Sequence, residues 1–322
     1  MLTTVVGNYP KVANRRGGGK LRTARAKFET GEMSETEFRK VQDEVTLEVV
    51  AEQLKAGLDL ITDGHIRWDD PQTYFGGKLA GVTLTGLERY FDTNIYYRQP
   101  VVSAPLQWKG PISMPDYQFV AHHSTKPVKA VIPGPYTMAR LSRDDHYHDF
   151  RRFVLAWAVA LQPEAKALGQ AGVPFIQIDE PAILFHKEDF PLFREAIQLT
   201  VRDVATKTAL YTYFGDIDGL YPAILELPVD VIGLDFVIGK RNLEIIRTAP
   251  FTKGLGFGIV DARNTKREIV ADVAAQVRAI SRIVPQDRLY VNPNCGLEFL
   301  PREVAYEKLA TMVAGVQQVR EG

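Results

Sequence analysis

Short apolar runs recur along this chain at 2–6, 58–62, 128–132, 174–178, 208–213, 231–236, 254–260 and 289–292, and amphipathic stretches separate most of them. Runs that are apolar almost throughout belong to strands covered on both faces, and their alternation with helical stretches is the pattern of parallel βα units. Ser34-Glu35-Thr36-Glu37 opens a helix that runs to Ala56, and a second long helix spans 149–171 before Gly172. Stretches 192–205, 219–226, 242–248, 266–283 and 302–314 read as the helices after the fourth to eighth strands. In 322 residues, eight such units predict an α/β fold of one class, a single closed (βα)8 barrel of the TIM type over 1–322. Residues 66–127, with Gly76-Gly77, Thr83-Leu84-Thr85, Tyr96-Tyr97 and several prolines, have the composition of loop and short strand. They read as an insertion after the second strand, lying over one barrel mouth.

Charge narrows the partners. Lys plus Arg number 39, as do Asp plus Glu, so no global field steers the chain toward nucleic acid or an anionic membrane. A single cysteine, Cys295, excludes an internal disulfide, and no apolar run reaches the roughly 18 residues of a membrane span. The first residues lack the basic and apolar segments of a secretory leader, so a cytoplasmic location and a small-molecule substrate are expected.

Barrel chemistry sits at the C-terminal ends of the strands. Those ends carry Asn8, His65, Asp179 with Glu180, Tyr211 with Tyr213, Asp235, Asp261, and Asn292 with Asn294 and Cys295. A buried carboxylate costs several kcal/mol unless it is paired, so polar strand ends at this density predict a polar ligand pocket in which Asp179, Asp235, Tyr211, His65 and Cys295 share one small ligand. The competing reading has Asp179, Glu180 and Asp235 capping helices or pairing with Arg67 and Arg140. The basic, glycine-rich segment 15–22 lacks the spacing of a phosphate loop; its Lys20 and Arg22 are candidates to hold the acidic tail of a ligand. No HxC, CxxC or HExxH spacing is present.

Gly7-Asn8-Tyr9-Pro10, Ile61-Thr62-Asp63-Gly64, Ile132-Pro133-Gly134-Pro135, Ile176-Gln177-Ile178-Asp179-Glu180-Pro181-Ala182 and Asn292-Pro293-Asn294-Cys295-Gly296-Leu297, in this order, resemble the cobalamin-independent methionine synthase family. The resemblance covers the whole chain and implies a (βα)8 barrel that transfers a methyl group from methyltetrahydrofolate or a methylcobamide to a small thiol such as homocysteine. Full-length members carry an N-terminal and a catalytic barrel, and this single barrel mixes their features: 91–97, 212–214 and 258–264 look like the first, 292–297 like the second. The family's catalytic barrel ligates zinc with a His-x-Cys pair, a Glu and a Cys, at positions that read Ala209, Tyr211, Asp235 and Cys295 here. The resemblance thus leaves Cys295, Asp235 and His65 as metal ligands, and any zinc is expected to be weakly held.

By the same resemblance Asp179 binds the amino-acid substrate, His65 replaces a substrate-binding glutamate and Asn8 a serine. The expected catalytic set is Asp179, Asp235, Tyr211 and Cys295, and the expected substrate-binding set is Asn8, His65, Asp179, Glu180, Tyr213 and Asn294, with Lys20 and Arg22 on the carrier. Two alternatives stand beside the methyltransferase. One is a non-catalytic folate-binding barrel, or one that assists a separate catalytic or corrinoid subunit. The other is a divergent metal-free enzyme using Asp179, Glu180, Tyr211 and Tyr213 as acids and bases.

Overall fold

In the computed structural model, which describes residues 1–12 and 19–321, seven strands lie side by side in one parallel sheet. Their spatial order is Leu2–Thr3, Leu289–Pro293, Gly254–Val260, Val231–Asp235, Lys207–Tyr211, Phe175–Asp179 and Ala130–Pro133. The run expected as the second strand joins the two edges: Leu60 pairs with Thr4 and Ile61 with Val128, both in parallel. The ring therefore closes, and each of the eight apolar runs supplies a stave. No helix among the described residues is long and apolar enough to cross a membrane.

Helices pack outside the ring where the sequence gives them a cap and an apolar face. Ser34 and Glu37 form a reciprocal capping box that starts Glu35–Lys55, and this helix buries Phe38, Val45, Val49 and Val50. Asp149 accepts from the Arg152 backbone to start Phe150–Gln170, which buries Phe153, Val154 and Trp157. The helices expected over 219–226 and 242–248 are shorter, a 3-10 turn at Ala223–Glu226 and one turn at Asn242–Ile245. Pro222, which has no N–H to give to a helix, falls inside the first of them. Lys20 and Arg22 lie on a helix, Lys20–Glu29, and residues 15–18 of the glycine-rich segment lie outside the described residues.

The segment between the second and third staves is more ordered than its composition suggests. Ala80–Arg89 and Tyr96–Gln107 form a long antiparallel hairpin, joined on one edge by Arg143–Asp144, with helices Pro71–Gly76 and Met114–His123 on either side. Most of the first hairpin strand is exposed, so its side chains carry no alternation for a core to impose. Glu164, wholly buried on Phe150–Gln170, anchors the end of the segment: its oxygens accept from the Trp108 indole and the Ile112 backbone at 3.0 and 2.8 Å, and from the Ser113 backbone and hydroxyl, both at 2.8 Å.

The hairpin tip reaches the C-terminal mouth of the barrel. Phe91 stacks on Phe185 at 5.2 Å, and Arg263, beyond the seventh strand, donates to the Asp92 carbonyl at 2.7 Å while its guanidinium lies over Phe214 and Phe299, 5.4 and 5.8 Å from the ring centroids. One hydrogen bond and two cation–π contacts are together worth about 2 kcal/mol. Arg263→Ala is therefore expected to speed amide exchange over residues 90–95 by about thirtyfold while the urea midpoint of the whole chain barely moves. Unchanged exchange at the tip would show that Arg263 does not hold it.

Candidate active site

Two cavities meet under the hairpin tip. The inner one is nearly filled, with about 10 Å³ of free space, and is lined by His65, Trp68, Pro71, Gln72, Tyr90, Val131, Pro133, Asp179 and Tyr213. The outer is a cleft of about 480 Å³ bounded by Asn8, Lys11, Asp69, Asp70, Tyr97, Glu298 and Phe299, and it shares Pro71, Gln72 and Tyr90 with the inner pocket.

His65 follows the second stave with a left-handed backbone (φ 52°), a conformation that a non-glycine residue adopts only when its surroundings enforce it. Its ring stacks on Trp68 at 3.7 Å and its Nδ1 meets Asn8 Oδ1 at 2.7 Å. Asn8 is itself oriented, because its Nδ2 donates to Glu298 Oε1 at 2.9 Å. The tautomer follows: Nδ1 carries the proton and Nε2 is left as a lone pair, buried and without a partner. Burial, with Lys11 and Lys129 adding to it, holds the imidazole well below its usual titration range, so the ring is neutral.

Asp179 ends the fourth stave. Gln177 Nε2 donates to its Oδ1 at 2.7 Å, and the Tyr213 hydroxyl approaches Oδ2 at 3.4 Å, with Tyr90 beyond at 3.3 Å. Burial raises the proton affinity of Asp179, while Gln177 and Lys129 act against that rise. Gln72, just inside the helix that Asp70 caps, is buried with its Oε1 unpartnered. Glu298 stands on the outer side with its Oε2 enclosed and unpartnered, and burial pushes its carboxyl up.

The expected site residues thus separate. His65, Asp179 and Tyr213 line the inner pocket, and Asn8 lines the outer cleft while holding the His65 ring. Glu180 is buried with its oxygens occupied by the Tyr136 and Thr137 backbone and the Thr137 hydroxyl, the capping role. Tyr211, Asp235, Asn294 and Cys295 are buried but do not line that pocket. Lys20 is exposed and paired with Glu44, and neither it nor Arg22 lines either cavity.

Sequence and shape together place this site in a known family. The profile described as cobalamin-independent synthase, catalytic domain, matches residues 1–318. A methionine synthase of Saccharolobus solfataricus is 34% identical over 321 residues, 99% of this chain and 95% of that protein. The chain belongs to the cobalamin-independent methionine synthase family. It is a methyltransferase. The methionine synthase of Sulfurisphaera tokodaii is 31% identical over 99% of this chain and 92% of its own length. Among solved structures, a B12-independent methionine synthase from Shewanella sp. W3-18-1, in complex with selenomethionine, superimposes with a TM-score of 0.86 at 23% identity, covering 100% of this chain and 98% of that one. A putative B12-independent methionine synthase from Listeria monocytogenes gives 0.75 at 20% identity, with 98% and 96% covered. Those two likenesses bear on the fold.

Zinc in this family needs a gathered donor set, and the residues here do not fit one. Tyr211 stands where the resemblance puts a thiolate; its ring occupies the space left by Gly233 and Gly256, where a Cβ would lie 2.4 and 2.6 Å from its nearest atom, and its hydroxyl donates to Asn292 Oδ1 at 3.3 Å. Asp235 accepts from the Phe214, Val237 and Ile238 backbone at 2.8–3.0 Å and from Asn294 Nδ2 at 3.2 Å. Burial raises the Cys295 thiol well above its usual range, with Glu298 and Asp235 adding to the effect. His65 faces a different pocket. Among the described residues no three His, Cys, Asp or Glu side chains are arranged to hold a metal ion.

Proposed function

We propose that this methyltransferase acts on a thiol amino acid of the homocysteine type, whose body lies in the cleft with its ammonium group directed at the inner pocket, and that a methyltetrahydrofolate-type donor sits farther out in the same cleft. The observation that carries the reading is that His65, Gln72 and Asp179 line the inner pocket together, with His65 Nε2 and Gln72 Oε1 buried without hydrogen-bond partners. Unmet buried acceptors cost about 1–3 kcal/mol each, and an ammonium group supplies three donors and a charge that Asp179 complements. The names borne by the archaeal relatives and the amino acid in the Shewanella complex support the same class of ligand.

The outer cleft supports the choice of donor. Its walls of Tyr90, Tyr97 and Phe299 suit a flat bicyclic ring, and its acidic rim of Asp69, Asp70 and Glu298 suits that ring's N–H groups. In the transfer the carbon–nitrogen bond of the donor breaks, nitrogen keeps the electron pair, and the methyl group passes to sulfur. The thiol proton passes to Glu298, whose Oε2 lacks a partner and whose burial strengthens it as a base, and from Glu298 to the donor nitrogen, which leaves as an N–H. No step is routed through a metal.

Calorimetry and a transfer assay test this together. L-Methionine is expected to bind, an analogue without the ammonium group to bind at least about a hundredfold more weakly, and methyltetrahydrofolate to support thiol methylation that survives chelators. Equal binding of the two analogues would overturn the assignment of the pocket. Transfer from methylcobalamin alone would overturn the donor, and one zinc per chain whose removal abolishes transfer would overturn the metal-free route.

A further inference from the structure

The third stave carries a charge in an otherwise apolar run, Val128-Lys129-Ala130-Val131-Ile132. The Lys129 side chain turns into the barrel and is 2% exposed. Its ammonium donates to the Val5 carbonyl and, at 2.6 Å, to Gln177 Oε1, and lies 5.2 Å from the centroid of the Tyr211 ring. Gln177, wholly buried on the fourth stave, carries the contact onward: its Nε2 donates to the Val6 carbonyl and to Asp179 Oδ1, both at 2.7 Å.

Packing alone does not call for a charge there. Sequestering an ammonium inside a barrel costs several kcal/mol, and a methionine would fill similar space without that cost. What the ammonium does, and a methionine would not, is hold the Gln177 amide with its oxygen toward the third stave and its N–H groups toward Asp179. A carboxylate that receives such a bond is fixed in one rotamer and favoured as an anion.

We propose that Lys129 is a positioning residue for acceptor binding: through the Gln177 amide it orients the Asp179 carboxylate toward the substrate ammonium. The inference rests on the reading of the inner pocket given above. The groups that face Asp179 are Lys129 from the third stave, neutral His65 from the second, Glu180 beside it on the fourth, Tyr211 and Tyr213 from the fifth, Tyr90 from the hairpin and Glu298 from beyond the eighth. Burial and Glu298 raise the proton affinity of Asp179, and Gln177 with Lys129 acts against that rise, while burial lowers the proton affinity of Lys129 and the nearby Asp179 opposes it. Loss of the Lys129 charge therefore moves the titration of Asp179 upward.

The test is methionine binding by calorimetry between pH 6 and 9 for the wild type, Lys129→Met and Gln177→Met, with thermal unfolding recorded beside it. Each pH unit by which Asp179 titrates higher costs about tenfold in affinity below its midpoint. Both variants are expected to bind methionine at least about tenfold more weakly at pH 7, to regain affinity as the pH rises, and to keep kcat at saturating acceptor while KM rises. A purely structural role would lower stability and leave the pH midpoint in place. Wild-type affinity and midpoint in either folded variant would overturn the inference alone. A wild type that binds no methionine would overturn the pocket reading, and the inference with it.

Discussion

Asp179→Asn is expected to weaken methionine binding by about a hundredfold or more, because truncating one member of an enclosed, hydrogen-bonded charge pair costs about 2–5 kcal/mol. Asparagine keeps the shape of the side chain and its bond from Gln177, so the loss reports the missing charge. The neighbouring acid serves as control. Glu180 spends its oxygens on the start of helix Pro135–Leu141, so Glu180→Gln is expected to lower the thermal midpoint and leave methionine affinity in place. Calorimetry of both variants decides the matter: equal losses would mean that the pocket does not distinguish the two carboxyls, and binding retained by Asp179→Asn would remove Asp179 from the site.

The second large effect is on stability. Glu164→Ala removes one buried side chain and strands four donors from Trp108, Ile112 and Ser113. With unmet buried donors at about 1–3 kcal/mol each and partial relief by water, a loss of about 3–5 kcal/mol is expected. Urea unfolding measures it, and Glu164→Gln, which keeps two acceptor lone pairs, is expected to lose less. A Glu164→Ala variant as stable as the parent would show that residues 108–113 repack without their anchor.

What the sequence made legible follows from burial. Staves covered on both faces are apolar whatever they do, so all eight runs were visible, and Asp179 and His65 stood out as polar residues at their ends. The hairpin was not visible, because Ala80–Arg89 is mostly exposed and its pairing with Tyr96–Gln107 is settled by a partner strand and not by local pattern. Gln72 and Glu298 were missed, since an uncharged amide behind Pro71 and a glutamate in a loop look like ordinary surface residues until the fold encloses them. Lys129 and Gln177 did leave a signal, each a polar residue between apolar neighbours inside a stave, where a side chain that points into a barrel has no route to water. Asp235 and Cys295 look the same in sequence as Asp179, a strand-end polar group, and differ in that their neighbours already satisfy them.

The nesting of the two cavities has a temporal side. Because the inner pocket shares Pro71, Gln72 and Tyr90 with the cleft above it, a molecule lodged in the cleft bars the way to the floor beneath. On the proposed assignment the amino acid is expected to arrive first and the methyl carrier second, with the spent carrier departing before the methylated product. Nested cavities of this kind predict a compulsory sequence of arrivals and departures, in which surplus carrier is expected to slow turnover by occupying the doorway of the empty enzyme.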